Sequence, residues 1–301
     1  MRRPEPSHRP LLAVGALVFA GAVGGWLLLR RTAPKDEAKE VAAARALGAG
    51  AAVLAFSVAT DSALEHYRGS FENRAMFIAP TVSAITLAAA ALTLARPGTA
   101  RGAKRLVFGA AAATGAAGVG FHFYDLSKRE GEFDLLNIFY HAPLGAPAAI
   151  GLAGIFGLLS QRFARGETRV LGYDGARLIA PFTAAALIGT VAEAGIFHFR
   201  GAFQNPAMYA PVTIPPAAAA ALTLSVAAPR LVPVARLLLE GTAVLGIAGP
   251  VFHAYGIHRN MGGWRNWSQM ILQGPPLPAP PAFLGIAIVG LAMLPLLEAD
   301  A

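Results

Sequence analysis

Eight or nine stretches of this chain run for about twenty residues with almost no charge, which narrows the fold more than any other feature. A bilayer core takes about 20 apolar residues per helix. Within it each backbone N–H and C=O must be satisfied inside its own segment, so such stretches become helices. Apolar residues make up 55% of the chain and charged ones 14%, a balance that a soluble protein of this length does not need. The sequence reads as an all-α integral membrane protein with eight or nine transmembrane helices.

The first stretch, Leu11 to Leu29, lies between Arg2, Arg3 and Arg9 on one side and Arg30, Arg31 and Lys35 on the other. It is longer than a signal-peptide core and lacks a small-x-small cleavage site, so it reads as an uncleaved N-terminal helix. Asp36 to Glu40 is a charged connector. Eight spans follow, at roughly 43–65, 76–95, 106–124, 143–160, 177–198, 208–228, 233–255 and 278–297. Pro80, Pro181, Pro211, Pro215, Pro216 and Pro250 are expected to kink or locally unwind them.

The second constraint is a duplication. Residues 66–77 read His-Tyr-Arg-Gly-Ser-Phe-Glu-Asn-Arg-Ala-Met-Phe, and residues 198–209 read His-Phe-Arg-Gly-Ala-Phe-Gln-Asn-Pro-Ala-Met-Tyr. At the same offset Asp61 falls opposite Glu193. Phe121-His122-Phe123-Tyr124 matches Phe252-His253-Ala254-Tyr255, and the Ala-rich run Leu87 to Leu94 matches Ala219 to Leu224. The expected organisation is an N-terminal helix and connector (1–40) and two tandem four-helix repeats (41–165 and 166–301). Four is an even number, so both repeats enter the membrane from the same side. A pseudo-twofold axis along the membrane normal should relate them.

The net charge of +8 belongs to short loops between apolar runs, where it orients spans and meets anionic headgroups; it does not indicate nucleic acid. Arg30, Arg31, Lys35, Lys39, Arg96, Arg101, Lys104, Arg105, Arg162, Arg165, Arg169 and Arg230 gather at one side. The positive-inside rule makes that side cytoplasmic, although it leaves the arginine-bearing amino terminus outside. Cysteine is absent, which excludes disulfides and thiolate-held metals.

Counting spans puts His66, His122, His141, His198, His253 and His258 at one face, with only His8 apart. Imidazole is the commonest protein metal ligand and an axial ligand of haem. His66, His122, His198 and His253, two matched pairs, are the candidate cofactor ligands. Asp61 and Glu193 are candidate metal ligands or proton carriers, because carboxylates inside a membrane are costly. Each is five residues from its histidine, about 140° around a helix, so the two do not share a face. They could still meet in one site across the interface between repeats. Bland alternatives stand beside each reading. Histidine is tolerated at headgroup depth, and a carboxylate can be capped by Arg68 or Arg200. Met76 and Met208 suit copper(I) but more often fill helix interfaces. Arg68, Arg200, His258 and Trp264 are candidates for contact with a substrate, partner or lipid phosphate. Glu240 is expected to pair with Arg236 one turn away.

The motif H-[YF]-R-G-x-F-x-N-x-A-M-[FY], with Phe252-His253, Gly262-Gly263-Trp264 and Gly274-Pro275-Pro276, resembles an uncharacterised family of bacterial multi-spanning inner-membrane proteins. The resemblance covers most of both repeats and implies the membrane and the topology, without a function. Arg74 stands where the second copy has Pro206, and Asp134 where it has Arg265.

Three function classes follow. The leading one is a redox subunit binding haem b, or a copper or iron ion, near the periplasmic face of a bacterial inner membrane, serving a periplasmic oxidoreductase or a quinone pool. The second is a transporter or channel for a small solute or metal ion. The third is a cofactor-free scaffold or assembly factor. No P-loop, dinucleotide fingerprint, Ser-His-Asp order or HExxH is present.

Overall fold

A computed structural model of the chain describes residues 39–140, 143, 145–263, 265–266 and 272–299. The expected helix at Leu11 to Leu29, and with it almost all of the 1–40 segment, lies outside the described residues. So do His8, His141, Trp264 and Trp267.

The described chain is almost wholly helical: α1 (Lys39–Arg68), α2 (Ile78–Ala95), α3 (Arg101–Ser127), the short α4 (Leu135–Tyr140), α5 (Ala146–Phe163), α6 (Gly175–Arg200), α7 (Ala210–Ser225), α8 (Val232–Asn260) and α9 (Pro281–Ala299). Single 3₁₀ turns lead into α2, α7 and α8. All of these helices but α4, with their 3₁₀ turns, are long and apolar enough to cross a membrane, so among the described residues there are eight spans. The protein is a multi-pass membrane protein, and each expected span from residue 43 onward is present. The third begins earlier than hydropathy suggested because Lys104 folds inward. Its ammonium donates to the carbonyls of Arg96 (3.3 Å) and Pro97 (3.1 Å), at the end of α2.

Two strands, β1 (Arg169–Val170) and β2 (Tyr173–Asp174), pair antiparallel in the connection between α5 and α6. Leu171 and Gly172 both take positive φ there, as a two-residue hairpin requires. Asp174 then caps α6, its carboxylate accepting from the Arg177 N–H at 2.8 Å. Pro181, Pro215, Pro216 and Pro250 lie inside helices as expected. Pro80 and Pro211 instead fall in the first turns of α2 and α7, where a missing N–H breaks no bond.

The spans pack as two rings of four. In the first half α1 touches α2, α2 touches α3, α3 touches α5, and α5 closes on α1. In the second half α6, α7, α8 and α9 close in the same order. Lipid gives apolar helices little reason to associate, so close contact between backbones has to hold them. Gly115 of α3 is so near α5 that an added Cβ would lie 2.4 Å from the Gly151 nitrogen. In the second half Gly246 of α8 stands at the same place, 2.5 Å from the Leu284 nitrogen on the same measure.

Two joints connect the halves. At the first, α1 runs tightly along α9: a Cβ on Gly50 would lie 2.6 Å from Val289 Cγ2 and 2.7 Å from the Gly285 carbonyl. Ser57 adds a hydrogen bond to the Pro278 carbonyl at 2.6 Å, and Lys39 reaches the Pro295 carbonyl at 3.3 Å. At the second, α5 and α6 stand farther apart and meet through rings, Phe156 against Phe182 edge to face at 6.1 Å. Arg236 of α8 pairs with Glu298 of α9 at 3.7 Å, so the expected partner, Glu240, is not the one it uses.

Candidate functional site

The histidine end of the bundle is built from one turn made twice. Helix α1 stops in a Schellman arrangement: the Phe71 N–H donates to the His66 carbonyl (2.9 Å) and the Ser70 N–H to the Tyr67 carbonyl (2.9 Å). In α6 the same bonds run from Phe203 to His198 (3.1 Å) and from Ala202 to Phe199 (2.8 Å). Such a turn needs a left-handed residue, usually glycine. Here Ser70 and Phe71 take φ of 56° and 48°, and Ala202 and Phe203 take 55° and 46°. Left-handed conformations in consecutive non-glycine residues cost about 1–3 kcal/mol each, and surrounding structure has to hold them.

That structure is visible on both sides of the turn. The glycine of the motif lies one residue earlier, beneath methionine: a Cβ on Gly69 would meet Met76 Cε at 2.9 Å, and one on Gly201 would meet Met208 Cε at 2.9 Å. Asn73 and Asn205 accept from the Ala75 and Ala207 N–H groups, each at 2.9 Å, and start the next helix. Phe71 stacks on Phe77 at 4.2 Å and Phe203 on Tyr209 at 4.6 Å. These aromatic residues and the thioethers therefore serve the turn itself.

The reversal brings a backbone carbonyl over each imidazole. His66 Nδ1 meets the Met76 carbonyl. His198 Nδ1 faces the matching Met208 carbonyl without closing a full hydrogen bond. On the third span of each half, His122 Nδ1 bonds the Pro143 carbonyl at 3.0 Å and His253 Nδ1 the Pro276 carbonyl at 2.8 Å. A carbonyl only accepts, so in His66, His122 and His253 the proton sits on Nδ1 and, in the neutral ring, Nε2 carries a free lone pair. Metal-ligating histidines are commonly oriented in this way.

The histidines meet within halves. His198 and His253 have ring centroids 6.3 Å apart at 87°, and His66 and His122 lie within electrostatic reach of each other. Glu193 lies within electrostatic reach of Asp61 in the other half. Among the described residues no three histidines or carboxylates converge as a metal cage, so the arrangement is two imidazole pairs and one carboxylate pair. His258 lies in the turn closing α8, its ring beside Gly263. Trp264 lies outside the described residues.

The duplicated arginines reach across the molecule. Arg68 holds Glu65 at 2.6 Å and donates to the Gly274 carbonyl of the second half at 2.7 Å. Arg200 lies 5.3 Å over Tyr140 and 6.0 Å over Phe139, both on α4 of the first half, and 5.4 Å over Phe197. The sequence held one signal for this: a motif arginine that recurs while its helix neighbour changes from Glu65 to Phe197 needs two kinds of partner. Comparison of the chain with protein-family models, with curated proteins and with solved structures finds no match.

Proposed function

We propose that the protein is a haem-binding redox subunit of a bacterial inner membrane, with a bis-imidazole site in each half. His198 and His253 would hold one cofactor, and His66 and His122 the other. The observation that carries this reading is the tethering of Nδ1 to backbone carbonyls in His66, His122 and His253, which leaves Nε2 of each bare. Two imidazoles on one metal, with bonds of ~2 Å, put ring centroids about 6 Å apart; those of His198 and His253 are 6.3 Å apart. A bare copper or iron ion usually needs three or more protein ligands, whereas haem b asks for two. Bound haem would supply one-electron transfer. The chain's own part is to fix the tautomers, orient the rings and keep the pairs at one end of the bundle.

The matched turns, the matched glycine contacts and the reciprocal arginines support the reading of two tandem repeats about a pseudo-twofold axis along the membrane normal. The loop charges support a periplasmic histidine face, where a periplasmic oxidoreductase or the quinone pool would exchange electrons. A second reading, a path for a small solute, is favoured by two carboxylates, Asp61 and Glu193, placed within the spans at matching positions. Against it, the hydroxyls of Thr86, Thr93, Thr183 and Thr242 are spent on carbonyls of their own helices.

The test is an optical spectrum and elemental analysis of the detergent-purified protein, beside a His198→Ala/His253→Ala variant and a His66→Ala/His122→Ala variant. A Soret band that shifts on dithionite reduction and loses about half its intensity in each variant is the expected result. A folded protein that stays colourless and metal-free after reconstitution with haem, copper or iron rules the redox reading out.

A further inference from the structure

Of the eight described spans α3 is the least covered, with 17% of its most apolar stretch buried. Its outward face is nevertheless small. Gly102, Gly109, Ala110 and Ala113 floor an open groove, with Arg105 and Leu106 along it. A Cβ on Gly102 or Gly109 would meet nothing within 4 Å, so no part of the described chain fills the groove. From Gly102 to Ala113 it runs about 16 Å at 1.5 Å per residue, close to half of a ~30 Å hydrocarbon core.

The second half shows what is peculiar here. In the register that sets Gly115 against Gly246, Ala113 matches Val244 and Leu106 matches Leu237. Val244 and Leu237 stand exposed on α8 as an ordinary lipid-facing ridge. Arg105 matches Arg236, which pairs with Glu298 of α9 at 3.7 Å. The contacts of Gly115 with Gly151 and of Gly246 with Leu284 fix the register of α5 on α9, and in it Arg165 stands where α9 has Glu298. A cation thus takes the place of the anion. Glu167, the acid within electrostatic reach of Arg105, is already held by Arg165 at 2.7 Å and Arg162 at 3.7 Å. Among the described residues Arg105 enters no ion pair. Three arginines share one carboxylate where the groove opens at the basic face.

We propose that this groove holds an anionic phospholipid, its phosphate on Arg105 and an acyl chain along Gly109, Ala110 and Ala113. A guanidinium offers a phosphate two parallel N–H donors. The acyl chain gains dispersion contact by lying against backbone, which bulky side chains would deny it. The lipid then supplies on α3 the anion that Glu298 supplies on α8. A second copy of the chain suits the groove poorly. A twofold axis along the membrane normal pairs like residues, which would set Arg105 against its own counterpart. The site lies at the end of α3 away from His122 and does not depend on what the histidines hold.

The test is native mass spectrometry of the full-length, delipidated protein in detergent, titrated with phosphatidylglycerol and, separately, with phosphatidylcholine. The expected result is one phosphatidylglycerol per chain, held about tenfold more tightly than phosphatidylcholine, as one charge-assisted hydrogen bond predicts. Arg105→Gln should abolish that preference, and Arg236→Gln, the matching change on α8, should leave it intact. Ala113→Leu, which fills the groove from an exposed position, should weaken retention of either lipid. Gly109→Leu serves the same purpose if Ala113→Leu does not fold. Equal binding of the two lipids by wild type, or binding that neither the arginine nor the groove variant changes, marks ordinary annular lipid and overturns the proposal. A wild-type dimer that the groove variant converts to monomer would give the groove to a second copy and also overturn it.

Discussion

The two joints between the halves are made at matching positions and reach opposite solutions. At the first, Gly50 of α1 meets Val289 of α9, and backbone rests against backbone. At the second, the matching residues are Phe182 of α6 and Phe156 of α5, and their rings hold the helices apart. Ser57, which ties the first joint to the Pro278 carbonyl, has Gly189 as its counterpart, and a Cβ there would meet nothing within 4 Å. Within each half the duplicated contacts agree closely, whereas between halves they diverge. Side-chain volume at two or three positions is thus enough to make one joint tight and the other open while the backbone plan stays the same.

Exchanging the residues at these joints should break the comparison outright. Gly50→Phe puts the residue of the open joint into the tight one, where no rotamer can clear Val289 and the Gly285 backbone. The expected cost exceeds the ~1–3 kcal/mol of ordinary overpacking, and the readout is loss of monodisperse protein in detergent. Gly102→Phe, where a Cβ meets nothing within 4 Å, is the control and should purify normally. Next in size is Phe156→Ala: this ring is fully buried, and removing it from the open joint should cost about 3–5 kcal/mol in a thermal or denaturant melt.

Smaller effects sharpen the contrast at the histidine end. Arg200→Lys should lose about 1 kcal/mol, because an ammonium cannot lie flat among Tyr140, Phe139 and Phe197. Arg68→Lys should lose less, since a point charge still serves Glu65, and its remaining stability should fall further in molar salt. The smallest pair returns to the joints. Ser57→Ala should cost about 1 kcal/mol through the lost hydrogen bond, while Gly189→Ala should be neutral or stabilise by up to ~1 kcal/mol. Equal effects from those two substitutions would remove the distinction between the joints.

Much of this was legible in the sequence because lipid makes hydropathy decisive. From residue 43 onward each span was placed, and the offset linking His66 to His198 and Asp61 to Glu193 was plain. Other features depend on contacts between segments distant in sequence. Arg68 reaches Gly274 only because α9 returns beside α1. Lys104 looked like a loop cation but caps α2, since nothing local reveals that the Arg96 and Pro97 carbonyls lie above it. Ser70 and Ala202 carry no sign of a left-handed turn, because the residue that usually marks one, glycine, sits one place earlier beneath Met76 and Met208. The pairing of histidines within halves depends on where Pro143 and Pro276 bring the chain back.

The tight joint also has a consequence in time. It unites α1, the first described span, with α9, the last; the Ser57 to Pro278 bond closes over 221 residues of sequence. A chain emerging span by span can complete its first ring early, but that ring must wait with the glycine face of α1 uncovered until the final helix has entered the membrane. The last described span thus closes the second ring and covers α1 of the first, and a chain halted before Pro281 would leave the second ring open and the glycine face of α1 bare.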